Sequence, residues 1–186
     1  MALGEQFATV LRAAQSGAEW AIAALYRDLQ PNLLGYLRSQ QPGDAEDLAS
    51  EVWMNVASGI ARFEGNEAAF RGWLFTIARR RLIDLRRRSA RRQTDAVPVD
   101  ALADRPASDD AEHEALSGLT TKSALDRVVR ILSAEQAEVV LLRLVAGLPV
   151  EEVATIVGKR PGAVRALQHR ALVRLARELA PEGITE

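Results

Sequence analysis

Apolar residues recur along this chain at intervals of three and four, and no stretch alternates apolar and polar positions as a half-buried strand would. The pattern is clearest near the C-terminus. Val153, Ala154, Ile156 and Val157 make an apolar side, Gly158 is a natural helix cap, and Pro161 suits the first turn of a following helix. Val164, Leu167, Ala171 and Leu175 continue at spacings of three, four and four. Glu151 and Glu152 complement the dipole at the start of the first helix of this pair. This is the outline of a helix-turn-helix, with Ala154, Gly158 and Val164 where two helices cross closely around a tight turn.

Upstream, the same periodicity predicts helices over 5–15, over 18–40, from Asp44 to about Ile60 and from about Glu67 to Arg92. Pro31 falls inside the second pattern, where it either starts a new helix or kinks one. Gln40 to Gly43 form a turn, and residues 61–67 a polar loop around Gly65 and Asn66. Phe70, Trp73, Leu74, Ile77, Ala78 and Leu82 are the apolar positions of the helix that follows. Residues 94–116 hold Pro98, Pro106 and little periodicity, which favours an extended linker over a packed core. Helices resume near Thr120. Ser133 is placed to cap the next one, which Gly147 ends. The expected fold is all-α: two small helical domains, 1–93 and 117–186, joined by a flexible acidic linker over 94–116.

Charge sharpens this division. The net charge is −1 over 186 residues, yet residues 71–93 carry nine arginines against Asp84 alone, a net of +8. Residues 94–116 carry seven acids against Arg105, a net of −6. A polyanion-binding segment thus sits beside an acidic one. The chain has no cysteine, which excludes disulfides and thiolate metal sites. No apolar run approaches the roughly 20 residues of a membrane span. The N-terminus lacks a charged-then-apolar signal pattern, so a cytoplasmic protein without membrane insertion is expected.

Candidate chemistry follows from placement. On the last helix, Arg165, Gln168, His169 and Leu172 share a side other than the buried stripe. A helix so held can enter a major groove, where Arg165 can bond guanine bidentately. Lys159, Arg160 and Arg170 suit phosphate contacts. In the 71–93 run, Arg80, Arg81, Arg87 and Arg88 are nearly unopposed charge suited to phosphates, with Asp84 as an internal partner. Phe70 and Trp73 read as core, whereas Phe63, on the loop, is the aromatic free to touch an unpaired base. Asp44, Asp47 and Glu51 share one helix side, which is either a solvated face or a surface for a basic partner. His113 and His169 lie elsewhere, so a metal or catalytic centre is not expected, and neither is a cofactor.

Two motif sets now coincide: DAEDLASEVWMNV at 44–56 with FRGWLFTIARRRLIDLRRR at 70–88, and the 124–172 stretch with its helix-turn-helix. Together they resemble an extracytoplasmic-function (ECF) sigma factor of the sigma-70 family, over roughly residues 5–180. The resemblance implies a promoter-recognition subunit of bacterial RNA polymerase with no catalytic residues of its own. It implies that Asp44, Asp47, Glu51 and Trp53 dock on the β′ subunit. By the same resemblance the 61–69 loop, with Arg62, Phe63 and Asn66, and the following arginine helix open and read the −10 element. The last helix, with Arg165, Ala166 and His169, reads the −35 element, and another face of that domain meets the β flap. The linker runs toward the RNA exit. Regulation is expected through a separate protein, such as an anti-sigma factor, or through expression.

The chain departs from the family pattern at Ser50, where glutamine is usual, at Arg80, where asparagine is usual, and at Ala166-Leu167, where serine-arginine is usual. The promoter sequence therefore does not follow from relatives. The competing reading is a stand-alone helix-turn-helix regulator binding duplex DNA as a dimer, which would not need the 44–56 and 70–88 set.

Overall fold

A computed structural model describes residues 3–95, 125 and 127–179, and every regular element among them is helical. A short 3-10 turn at Gly4–Gln6 leads into α1, Phe7–Gln15. Helix α2 is Glu19–Gln40, α3 is Ala45–Gly59 and α4 is Glu67–Asp95. Helical residues 127–131 end a further helix, α5. Then follow α6, Ala134–Leu144, α7, Val150–Val157, and α8, Pro161–Leu179. The linker expected over 94–116 lies outside the described residues beyond Asp95.

The boundaries have local causes. Ser133 caps α6 in a full capping box: its hydroxyl accepts from the Gln136 amide while the Gln136 side chain accepts from the Ser133 amide. Gly158 ends α7 at φ 68°, ψ 36°, left-handed backbone that a side chain would strain, and Pro161 opens α8. Helix α2 runs through Pro31, so Pro31 does not start a new helix, and Leu29 and Leu33 are buried on either side of it. One expectation is corrected. Residues 60–62 tighten into a 3-10 turn, so the loop expected over 61–67 shrinks to 63–66. Gly147 closes the end of α6 as expected, with left-handed backbone at φ 66° and the Leu148 amide donating back to the Leu142 carbonyl at 3.1 Å.

In the first domain α4 lies against α2 and α3. Phe70, Leu74, Phe75 and Ala78 are fully buried among Leu25, Leu33, Leu37 and Val52. Tyr36 meets Phe75 edge-on at 5.5 Å between centroids. In the second, α8 buries Val164, Leu167, Ala171 and Leu175 against α6 and α7, as its spacing required. The two sequence domains are not separate bodies. One apolar cluster runs from Phe7, Leu33 and Phe75 through Leu141, Leu142, Leu148 and Val153 to Leu167. Among the described residues no helix is long and apolar enough to cross a membrane.

The central packing is testable. Leu33 is wholly buried where α2 faces its neighbours. Leu33→Ala should cost about 2–5 kcal/mol through lost transfer energy and the cavity left behind. Urea denaturation at constant slope measures it, and a midpoint unchanged from the parent would remove Leu33 from the core.

Candidate nucleic-acid and polymerase interfaces

Helix α8 presents one side to the interior and the other to solvent. Arg165, Ala166, His169 and Arg170 are all exposed. Gln168 is half-buried because Arg143 Nε donates to its Oε1 at 3.3 Å, while Arg143 Nη1 donates to the Leu148 carbonyl. That arginine ties α6, the turn and α8 together. It fixes the angle at which the exposed side of α8 is offered.

Two cations of this surface already have acidic partners. Arg165 Nη2 lies 2.9 Å from Glu151 Oε1, with both side chains more than half exposed, and Lys159 Nζ lies 3.0 Å from Glu135 Oε1. Exposed pairs of this kind contribute about 0–1 kcal/mol, so phosphate or base can displace the acid at little cost. Arg160 and Arg170 make no ion pair with a described residue and stay solvated.

The arginine run of α4 divides by partner. Arg71 is structural: its Nη2 lies 3.1 Å from both Asp28 and Glu67, and all three side chains are largely buried. Glu67 also accepts from the amides of Leu3 and Gly4, which pins the N-terminus to α4. Arg79 Nε donates to Glu138 Oε1 on α6 at 2.7 Å, and that bond holds its guanidinium above its ordinary pKa. Arg81 lies 3.5 Å from Glu51, and Arg86 donates to Gln40 at 2.6 Å. Arg80, Arg87 and Arg88 are exposed and make no ion pair with a described residue. Asp84, expected to pair within the run, is exposed and pairs with no described residue, a correction to its reading as an internal partner.

The loop before α4 is more ordered than its composition suggests. Phe63 is half-buried, stacked on Trp73 at 5.2 Å and edge-on to Phe70 at 5.1 Å. Gln15 of α1 donates to the carbonyls of Ile60 and Phe63, at 3.2 and 2.8 Å. Asn66 caps α4, its side-chain oxygen accepting from the Ala69 amide at 2.9 Å. Arg62 is exposed at the end of the 3-10 turn. The periodicity gave no sign of Gln15's part, because a polar residue ending a helix carries no distinguishing pattern.

The four residues resembling a polymerase contact split into two groups. Asp47 is exposed and Glu51 and Asp44 are half-buried, with Gln41 donating to Asp44 at 3.2 Å. Trp53, two positions past Glu51 and so on the far side of α3, donates to Gln30 at 2.7 Å and packs on Tyr26 at 5.1 Å. Met54, at 69% exposure, and Tyr26, at 42%, add apolar surface nearby.

A helix-turn-helix joined to a second helical domain that carries an arginine-rich helix has the features of a DNA-binding protein. Comparison with known proteins specifies the class. Residues 25–92 match the model of Sigma-70 region 2, and residues 122–175 match that of Sigma-70, region 4. The chain is 36% identical over 177 positions to the ECF RNA polymerase sigma factor ShbA of Streptomyces griseus, covering 90% of this chain and 92% of ShbA. It is 30% identical over 186 positions to SigD of Mycobacterium tuberculosis, covering 97% of this chain and 87% of SigD. Among solved structures it resembles the sigma factor RpoE of Bartonella quintana, crystallised with the anti-sigma factor NepR. The TM-score is 0.63 at 25% identity, covering 87% of this chain and 98% of RpoE. CnrH, solved with the cytosolic domain of CnrY, shares the fold at a TM-score of 0.67 and 18% identity, covering 96% of this chain and 100% of CnrH. The chain belongs to the sigma-70 family and is similar throughout to its ECF members. It is an RNA polymerase sigma factor that acts in promoter recognition and transcription initiation. Sigma factors as a family are not enzymes.

Asn66 separates capping from reading. Asn66→Ala should cost about 1 kcal/mol through the lost cap. Asn66→Asp keeps the acceptor and should leave the denaturation midpoint near that of the parent while removing the amide donor. Equal losses in the two variants would refute the capping role.

Proposed function

We propose that this sigma factor divides its work among three surfaces. The exposed side of α8 reads the −35 duplex. Arg165 contacts base edges, Ala166 and His169 line the approach, and Lys159, Arg160 and Arg170 hold phosphates. The observation that carries this reading is the opposition on α8: Val164, Leu167, Ala171 and Leu175 are buried while Arg165, Ala166, His169 and Arg170 are exposed. The second surface, the 63–66 loop with Arg62 and α4, takes the −10 element, with Arg80, Arg81, Arg87 and Arg88 on the backbone. Phe63 contributes by stacking, and Asn66 by the amide donors left free by its cap. Binding energy gained on unpaired bases offsets the cost of opening the duplex.

The third surface is α3. Asp44, Asp47 and Glu51 offer carboxylates, and Trp53 with Tyr26 and Met54 offers apolar area, to the β′ subunit of core polymerase, while another face of the second domain meets the β flap. The segment 94–116 acts as the acidic linker between 1–93 and 117–186. The protein works in the cytoplasm without a cofactor, metal or catalytic group of its own. Its regulator is an anti-sigma factor, a reading supported by the complex of the 25%-identical RpoE with NepR.

Run-off transcription with core enzyme tests the division. Arg165→Ala should weaken initiation by about 1–3 kcal/mol and relax preference among −35 variants, whereas Arg160→Ala should weaken all sequences alike and lower the salt slope. Unchanged −35 preference in Arg165→Ala would remove that residue from base reading. Replacing residues 61–69 by the loop of a relative with another −10 preference should transfer the donor's preference while core binding persists. A well-folded chimera that keeps its original preference would exclude the loop as reader.

A further inference from the structure

Helix α1 ends on a polar residue placed where its buried stripe would continue. Phe7, Val10, Leu11 and Ala14 are buried, and Gln15 follows Leu11 by four positions, one turn further along the same side. An apolar residue would suit that position if packing were its only task. Gln15 is instead half-buried, and its carboxamide nitrogen carries two donors. Nε2 donates to the Ile60 carbonyl at 3.2 Å and to the Phe63 carbonyl at 2.8 Å.

These two carbonyls bracket the 3-10 turn from which the loop departs. The Phe63 amide donates to the Ile60 carbonyl at 3.1 Å and closes the turn. At Phe63, with ψ 131°, the backbone becomes extended and leaves for the loop. The Phe63 carbonyl lies in the rigid peptide plane shared with Glu64, so holding that oxygen aims the residues that follow. Space on the far side is short. Gly65 stands at φ 150°, and a Cβ there would lie 2.9 Å from Ala69 Cβ and 3.0 Å from the Phe63 ring. The loop is thus wrapped over the same ring that stacks on Trp73.

The other end of the loop is tied to the same N-terminal stretch. Glu67, which opens α4, accepts from the Leu3 and Gly4 amides, and Phe7 packs on Phe70 at 5.7 Å between centroids. Residues 3–15 therefore brace the loop at its entry and at its exit. They precede the stretch 25–92 that matches Sigma-70 region 2.

We propose that Gln15 is a positioning residue for −10 recognition: through the Ile60 and Phe63 carbonyls it holds the 63–66 loop in the conformation that fits an unpaired base, without touching DNA itself. This role rests on the reading of the loop as the −10 contact, and gives α1 the part of setting its shape. Stacking of a base on an aromatic face tolerates any sequence, whereas contacts to base edges discriminate only when held in a fixed geometry. Loosening the loop therefore reduces selectivity before it reduces affinity.

Gln15→Met keeps the length and helix propensity of the side chain and removes both donors. Gln15→Asn keeps the carboxamide and is one methylene too short to reach both carbonyls. Core polymerase carrying either variant is assayed by run-off transcription on promoters that differ at single −10 bases, as duplexes and with that element already unpaired. The ratio of initiation between preferred and substituted −10 bases should narrow about fivefold on both kinds of template. Preference among −35 variants and binding to core enzyme should stay parental. In protein made with 5-fluorotryptophan, the fluorine signal of Trp73 should broaden or split, while those of Trp20 and Trp53 stay as in the parent. Variants that are less stable yet keep the parental −10 ratio would reduce Gln15 to a structural residue and overturn the proposal. An unchanged Trp73 signal would overturn it too, because the loop would then hold its conformation without these bonds. The loop graft separates this role from the reading beneath it. Transfer of preference by the graft, with parental −10 preference in both Gln15 variants, would leave the loop as reader and remove Gln15. A graft that fails to transfer preference, in a protein whose Trp73 signal does respond to Gln15→Met, would overturn the loop as reader and with it the −10 role of Gln15.

Discussion

Helix α4 is the element on which the rest of the molecule depends. Its interior side places Phe70, Leu74, Phe75, Ala78 and Leu82 under nearly complete burial. Apolar area of that size supplies the largest favourable contribution a small helical domain has. Along the same 29 residues α4 meets α2, α3 and α7, carries the arginine run, and is entered from the 63–66 loop. Core, charge and inter-domain contact are thus different sides of one rod, and a shift that disturbs its packing moves all three.

Charge in this protein is sorted by burial. Where arginine is shielded from water it holds the fold: Arg71 with Asp28 and Glu67, Arg79 with Glu138, Arg143 with the Leu148 carbonyl and Gln168. Where it is exposed it is solvated, as at Arg80, Arg87 and Arg88, or weakly paired, as at Arg165. The first group has lost water that only a fixed partner replaces. The second exchanges partners at little cost, as suits contacts with a polyanion made and broken at each initiation.

The loop before α4 shows how one short segment can hold rigidity and exposure together. Phe63 is anchored by Trp73 and Phe70, and Gln15 holds the carbonyls of Ile60 and Phe63. Asn66 starts the helix with one side-chain atom and keeps its amide free. A loop held this way loses little entropy on ordering when it meets a partner.

The helices themselves were legible in the sequence. Intervals of three and four marked the buried stripe of α8, and Ser133, Gly158 and Pro161 marked helix ends, because periodicity and capping depend only on neighbours a few residues away. The motif sets at 44–56, 70–88 and 124–172 carried the family for the same reason of local spacing. Which arginines were structural was not legible, since Asp28 is 43 residues from Arg71 and Glu138 is 59 from Arg79. The choice between the two readings at Pro31, a new helix or one that continues, was settled by the fold, where α2 runs through. The closure of the two domains onto one core, over Gly35 and Gly72, was decided by tertiary structure alone. A glycine in a helix declares its cost locally, but its reason, the approach of Val145 or Glu152, exists only once the chain has folded.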